Sequence, residues 1–208
     1  MGTTDTPDTP NETTIALATD KMLIMSGATA RGAQKTADFF TPISGRNRIY
    51  STPGLQTALT GLDTSGRAGV ANTMWFIDVF IPYPCVLLGA AHLNGTTVGT
   101  TKAIATLYNA AGTLVANSSV TGGGAVTSGA STFQQRAFTS AYTAKPGQYW
   151  IGYMPDSTTD TVRTIVTATF VEANTGSVAG VAATATPSIT PTTTFTANVG
   201  IFSYVYTA

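Results

Sequence analysis

Residues 72–81 read NTMWFIDVFI, a run rich in β-branched and aromatic side chains. In an extended strand, successive side chains point to opposite faces of the sheet, and in this run both faces are apolar. One face would carry Trp75, Ile77, Val79 and Ile81, and the other Met74, Phe76 and Phe80. The pattern predicts a strand covered on both sides, either in the centre of the fold or in an interface.

Runs of similar composition follow along the rest of the chain, and turn residues such as Asn94-Gly95 and Lys145-Pro146-Gly147 separate them. They are Cys85–Leu93, Lys102–Asn109, Thr113–Ser118, Thr132–Tyr142, Tyr149–Met154, Thr161–Val171 and Asn198–Thr207. No amphipathic helix stands out. The sequence therefore predicts an all-β protein, an antiparallel jelly-roll-like β-sandwich of about eight strands. An immunoglobulin-like sandwich is less favoured, because a single cysteine cannot form its inter-sheet pair.

Two regions lie outside this sandwich pattern. Residues 173–197 are small, uncharged and rich in Thr and Ala, and they are long for a loop in a compact domain. We expect a projecting hairpin there, or an arm lying on a neighbour. Residues 1–70 lack sustained strand patterns and are expected to form an extended N-terminal arm, an attachment region preceding a sandwich domain at 71–208.

Charge is distributed unevenly along this arm. Its first 14 residues, MGTTDTPDTPNETT, contain three acids and no base, whereas residues 26–70 contain five bases and two acids. We call residues 1–14 the acidic tip. The tip and the basic stem after it predict pairing between copies or docking on a partner. The candidate assembly residues are Met22, Leu23, Ile24, Met25, Arg46, Arg48, Ile49 and Tyr50.

The amino-acid composition argues against several classes of function. The 208 residues contain ten basic and ten acidic side chains, one His and one Cys. A neutral chain lacks the basic footprint of a nucleic-acid binder, and one Cys excludes an internal disulfide framework or a thiolate zinc site. No apolar run is long enough to span a membrane, and no signal peptide is visible. We expect no nucleic acid, membrane or cofactor partner.

Candidate chemistry is sparse. His92 has no nucleophile or acid near it in sequence, so a structural or surface role is favoured over catalysis. Asp156 and Asp160 in PDSTTD could approach a calcium ion, but Ca²⁺ needs six to eight oxygens, and a polar turn is favoured. No catalytic residue and no metal ligand is therefore predicted.

An aromatic set offers an alternative to assembly. Exposed Trp and Tyr rings can stack against sugars, and the candidate glycan platform is Trp75, Tyr149, Trp150 and Tyr153. Each of these lies in mid-strand among apolar neighbours, where a place in the core or in a subunit interface is commoner.

Two stretches carry a resemblance to a known group of proteins. ATLYNAAGTLVANS at 105–118 and STFQQRAFTSAYTAKPGQYWIGY at 131–153 resemble the jelly-roll-like modules of tailed-phage structural proteins. The resemblance implies a virion part, either a capsid decoration (cement) protein or a component of a fibre or tail. It carries no catalytic residue.

Together these observations predict a non-enzymatic structural protein of a tailed-phage particle. The favoured role is a decoration protein that binds the major capsid protein through its N-terminal arm and stabilises the head shell. We expect a homo-oligomer, with a trimer favoured, located in the virion after assembly in the host cytoplasm. The alternative is a receptor- or carbohydrate-binding module of a fibre or tail.

Overall fold

The computed structural model describes residues 21–26, 29–35, 48–51, 62–63, 65–98, 102–156, 158–166, 173–179 and 184–208. The chain divides into two units, Met1–Ser44 and Gly45–Ala208. In the first unit, β1 (Lys21–Ser26) and β2 (Thr29–Lys35) form an antiparallel hairpin with Lys21 opposite Lys35. The candidate assembly residues Met22, Leu23, Ile24 and Met25 lie in β1.

Twelve strands make up the described part of the second unit, and every pair of them is antiparallel. They are β3 (Arg48–Tyr50), β4 (Arg67–Ala68), β5 (Thr73–Ile81), β6 (Cys85–Leu93), β7 (Lys102–Asn109), β8 (Leu114–Asn117), β9 (Gly124–Ala125), β10 (Phe133–Ala144), β11 (Gly147–Pro155), β12 (Thr161–Val162), β13 (Thr175–Ala179) and β14 (Ser203–Thr207). Within the described ranges, no helix is long and apolar enough to cross a membrane.

The main strands form two sheets with a nested pairing scheme. The four-stranded sheet has the order β10-β6-β14-β3, and the six-stranded sheet has the order β13-β5-β11-β7-β8, with β9 added beside β7. Among the eight principal strands the first pairs with the last (β3–β14), the second with the seventh (β5–β11), the third with the sixth (β6–β10) and the fourth with the fifth (β7–β8). This is the pairing of a long hairpin rolled into two sheets, a jelly roll. The predicted all-β sandwich is confirmed.

The core lies between the two sheets. Trp75, Ile77, Val79 and Ile81 of β5 and Tyr149, Ile151 and Tyr153 of β11 point into it, as the alternation in the sequence predicts. Across from them stand Leu87 and Ala90 of β6 and Val205 of β14. Because Ile77, Ile81, Leu87 and Val205 are fully buried, this interface supplies most of the hydrophobic stabilisation of the body.

Part of the outer face of the six-stranded sheet is covered by a stretch of the segment 173–197 that includes Ala185 and Ile189. Ile189 packs against Phe76, Tyr108 and Trp150, and Ala185 packs against a second group that contains Met74. Backbone hydrogen bonds hold this cover along its length, from Ile189 N to Gly112 O (2.8 Å), from Leu114 N to Pro187 O (3.0 Å) and from Ala185 N to Val120 O (2.8 Å). The prediction of a projecting hairpin or neighbour-clasping arm is therefore wrong for the described residues, which lie on their own domain.

Asp78 fixes the start of this cover. It is the only charged residue in NTMWFIDVFI, and its carboxylate accepts hydrogen bonds from Asn174 N (2.9 Å) and Asn174 Nδ2 (2.8 Å). The backbone N–H of Asp78 donates to Asn174 O (3.1 Å). After this junction, β13 extends the sheet along β5. The one charged side chain of this strand thus positions the start of the segment that packs on the outer face.

Two further expectations differ from the structure. The second unit begins at Gly45, not at residue 71, because β3 is the first strand of the jelly roll and Leu62 lies in its core. Thr161–Val171 is predicted as one strand, and among its described residues, 161–166, the structure has a strand at Thr161–Val162. Beyond it, Thr164 and Ile165 make isolated bridges, and residues 167–172 lie outside the described residues.

Removing the side chain that anchors the cover tests its role. We expect Ile189→Ala to lower the free energy of unfolding by about 2–4 kcal/mol, because the substitution opens a cavity against Trp150. Urea unfolding followed by tryptophan emission would measure this loss, with a red shift of the native emission as Trp150 gains water. The adjacent exposed Ser188→Ala is the matched control, expected to change stability by less than about 0.5 kcal/mol. Equal effects of the two variants would contradict a packed cover.

Candidate binding face

The outer face of the four-stranded sheet carries a layer of aromatic rings. On β14, Val205 points into the core, so Tyr204 and Tyr206 point outwards. Tyr204 stands opposite Tyr50 of β3, and its ring centroid lies 5.1 Å from that of Tyr50, 4.8 Å from Phe133 and 6.4 Å from Tyr206. Phe202 stacks on Tyr50 at 6.0 Å. We call Tyr50, Phe133, Phe202, Tyr204 and Tyr206 the aromatic face.

Small residues beneath the rings allow them to lie close to the sheet. Gly89 of β6 pairs with Tyr206, and a Cβ at Gly89 would collide with the Tyr206 ring. Ala91 occupies the equivalent place beside Tyr204. The glycine is therefore required for close approach of a side chain, and a larger residue here would lift Tyr206 off the sheet.

Polar groups border the rings, and the charge there is positive. The Arg48 guanidinium carbon lies 5.0 Å from the centre of the Tyr204 ring, a cation–π distance. Gln135 Nε2 donates a hydrogen bond to Tyr204 Oη (3.0 Å). A hydrogen bond to Tyr50 and the nearby Tyr204 raise the pKa of Arg48. The described acids are Asp63, Asp78, Asp156 and Asp160, and none belongs to this sheet.

The face is partly accessible. Two rings of the face are buried, Tyr204 at 1% and Phe202 at 6% exposed, and Phe202 is part of the hydrophobic core. Tyr50, Phe133 and Tyr206 are half-buried, and Arg48 and Gln135 are exposed. No strand of the described body packs over it. Clustered tyrosines with a neighbouring arginine are typical of protein-binding surfaces, since such side chains bury large areas at low entropic cost.

The structure brings together only part of the predicted assembly set. Arg48 and Tyr50 lie on the aromatic face, while Ile49 points the other way, opposite Val205, and packs against the core. Arg46 and the side chains of Met22, Leu23, Ile24 and Met25 lie outside the described residues. Phe133, Tyr204 and Tyr206 were not predicted as binding residues, although the alternation of Phe202, Tyr204 and Tyr206 marks a common face.

The predicted glycan platform does not form. Trp75, Trp150 and Tyr153 are at most 2% exposed, and Tyr149 is 7% exposed. Trp75, Tyr149 and Tyr153 point into the inter-sheet core, and Trp150 packs edge-on against Phe76 beneath the cover. A buried ring presents no face on which a sugar could stack, so these four residues cannot make the proposed platform. Their mid-strand positions explain the burial.

His92 is buried in the core. It is 2% exposed, and its ring centroid lies 4.4 Å from that of Tyr153. Burial, and then the positive charge of Arg136, lower the pKa of His92 to about 3, although a hydrogen bond with Asn94 opposes the shift. The imidazole is therefore neutral at physiological pH and has no solvent access. This environment fits a structural histidine.

The aspartates of PDSTTD are engaged separately. Asp156 Oδ1 accepts a hydrogen bond from Lys102 N (2.8 Å), and Asp160 is 2% exposed. The carbonyl of Asp160 accepts a hydrogen bond from Gly69 N (3.2 Å). Across the described ranges, no three His, Cys, Asp or Glu side chains converge to hold a metal ion.

Comparison with known protein families, with curated proteins and with solved structures found no match to this chain.

The burial of both tryptophans has a direct spectroscopic consequence. We expect blue-shifted emission and weak quenching by acrylamide, because Trp75 and Trp150 have almost no contact with water. Stern–Volmer analysis of the native and urea-unfolded protein would measure this, with the unfolded protein quenched several-fold more strongly. Native quenching close to that of the unfolded protein would contradict the buried placement of both rings.

His92 also predicts a pH dependence of stability. Its folded pKa is below its unfolded value near 6.5, so the unfolded state binds the proton first as the pH falls. Stability should fall from about pH 6.5 towards pH 3, with this residue contributing a slope of up to about 1.4 kcal/mol per pH unit. Urea titrations at pH 4.5, 5.5 and 6.5 would compare the wild type with His92→Gln. His92→Gln should be less stable than the wild type at pH 6.5, but its stability should fall less steeply as the pH is lowered. The same pH dependence of the unfolding free energy in both proteins would contradict the role of His92.

Proposed function

We propose that this chain is a non-enzymatic structural protein of a tailed-phage particle, a decoration (cement) protein attached to the head shell. Its jelly-roll body is displayed on the particle, and its N-terminal region binds the major capsid protein. The partner set also includes further copies of the chain, arranged as a homo-oligomer with a trimer favoured. The protein acts in the virion after assembly in the host cytoplasm.

The aromatic face is the observation that carries this proposal. It combines clustered tyrosines and an exposed arginine on the outer side of a sheet, as expected of a surface that binds another protein. Its edge strand, β3, directly follows the N-terminal unit in the chain. A binding surface on that strand is well placed for a protein that joins an assembly through its first residues.

The body itself suits a structural role. Both faces of the six-stranded sheet are covered from within the chain, so the domain does not need a partner to bury them. The single histidine is buried and neutral and cannot serve as an accessible general base. The alternative of a sugar-binding module loses its proposed platform, because those four rings are buried.

Occupancy of purified particles tests the proposal. The full chain, a variant lacking residues 1–44 and the exposed-surface control Lys102→Glu would each be supplied during particle assembly, and copies per particle would be counted by quantitative mass spectrometry. We expect the full chain and the control at a fixed ratio to the shell protein. The shortened chain should be at least about tenfold depleted, because it lacks the attachment region.

The shortened chain must be shown to retain its fold, by the same far-UV spectrum and a cooperative melt. Particles without the protein should release their DNA at a lower temperature, measured with a dye that binds exposed DNA. Absence of the full chain from particles would overturn the virion assignment. Unchanged occupancy of the shortened chain would overturn attachment through the N-terminal region.

A further inference from the structure

We propose that the aromatic face binds the acidic tip, residues 1–14, of a second copy of this chain. This inference rests on the proposed function in that both concern assembly, but it names a different contact, between copies and not with the shell. The occupant is identified by three properties of the chain: its proline spacing, its charge and the dimensions of the ring layer.

The tip has the spacing of a polyproline-type ligand. It contains Pro7-Asp8-Thr9-Pro10, two prolines separated by two residues. Segments of this kind favour the polyproline II conformation, in which residues three apart lie on the same side. Such segments dock on surfaces lined by aromatic rings, since the proline ring packs flat on them and little conformational entropy remains to be lost.

The dimensions of the face are compatible with this ligand. A polyproline II segment rises about 3.1 Å per residue, so the two prolines stand about 9 Å apart. On the face, the ring centroids of Tyr50 and Tyr204 are 5.1 Å apart, and those of Tyr204 and Tyr206 are 6.4 Å apart. Because both half-buried rings neighbour Tyr204, the Tyr50 and Tyr206 rings are at most about 11.5 Å apart, a range that includes the spacing of the two prolines.

The charges of the acidic tip and of the aromatic face are complementary. Residues 1–20 contain Asp5, Asp8, Glu12 and Asp20 and no basic residue. The face carries the exposed Arg48 above the Tyr204 ring, and no described acid belongs to its sheet. With Pro7 and Pro10 over the outer rings, Asp8 between them comes close to Arg48. The pairing of an acidic ligand with a basic rim supplies specificity as well as a faster association rate.

A second copy is the occupant because each chain offers one tip and one face. A contact between two different surfaces of identical chains is head-to-tail, and a ring of copies closes it with every site filled. A trimer is the smallest ring larger than a dimer that satisfies this condition. Each contact is small. However, the last contact that closes the ring forms within a single assembly, and this stabilises the complete oligomer.

A binding experiment on the full chain tests the contact. The receptor is the full chain carrying Pro7→Ala and Pro10→Ala, which weakens competition from its own tips. The probe is a synthetic peptide of residues 1–14 with both ends blocked, titrated calorimetrically. We expect saturable binding in the micromolar to submillimolar range. Adding Arg48→Glu to the receptor should weaken binding by about tenfold, and the matched control Lys102→Glu, at an exposed position on β7 of the other sheet, should leave it unchanged.

A charge exchange distinguishes a direct contact from a disturbed fold. A peptide with Asp5→Lys, Asp8→Lys and Glu12→Lys should bind the Arg48→Glu receptor more tightly than it binds the receptor with Arg48. A peptide with both prolines changed to Ala should bind at least several-fold more weakly than the native peptide. No saturable binding, or binding indifferent to Arg48→Glu, would overturn the assignment of this face.

Sedimentation of the full chain tests whether the tip comes from a second copy. We expect concentration-dependent association that Pro7→Ala with Pro10→Ala reduces. A monomer at all concentrations would overturn the intermolecular contact. The two proposals fail separately: particle occupancy without peptide binding overturns only this inference, and peptide binding without particle occupancy overturns only the virion assignment.

Discussion

The fold depends on one constraint: its larger sheet is apolar on both faces. In β5 the side chains of Ile77 and Phe76 point in opposite directions, and each is at most 3% exposed. A sheet of this kind cannot leave either face in water, and in α/β proteins helices would supply the covers. Here the second sheet covers one face, and an irregular stretch that includes Ala185 and Ile189 packs on the other. The body is therefore three layers thick, with two sheets and one layer of loop.

This arrangement gives a physical reason for the composition of the cover. Residues 173–197 contain no charge. Where Ala185 and Ile189 rest on apolar side chains of the sheet, a charged group would lose its hydration. Threonine suits such a layer, since its methyl group packs downward while its hydroxyl satisfies nearby backbone groups. Thr175 does so, because its hydroxyl donates to Thr196 O and accepts from Thr196 N, both at 2.7 Å.

Strand positions could largely be predicted from the sequence, and strand partners could not. The bounds of β6 and β7 agree with the prediction because apolar alternation and turn residues coincide at both ends. β3 was missed because three residues carry too little periodicity to be recognised, and its place is set by pairing with β14, far away in the chain. The same long-range pairing creates the aromatic face, which joins residue 50 to residues 133 and 202–206. No local pattern in the sequence encodes that meeting.

The cover and the glycan set show a second limit. Length and lack of charge made 173–197 look like a projecting arm, because a sequence does not reveal which apolar surface needs covering. The same missing information concealed that Trp150 lies beneath Ile189. In both cases the alternation of apolar residues in β5 and β11 showed that both faces of the larger sheet needed to be buried. It did not show which segment would bury the second.

The position of β14 determines when the body can fold. This strand follows the other thirteen strands in the described part of the chain, yet it lies inside the four-stranded sheet, between β6 and β3. Until it is in place, β3 has no partner in the sheet, and Gly89 has no ring above it. During synthesis this sheet can close only after β14 has left the ribosome, and the many contacts between distant residues make closure slow. Until then, the inner face of β6 and the edge it shares with β14 remain exposed to other nascent chains.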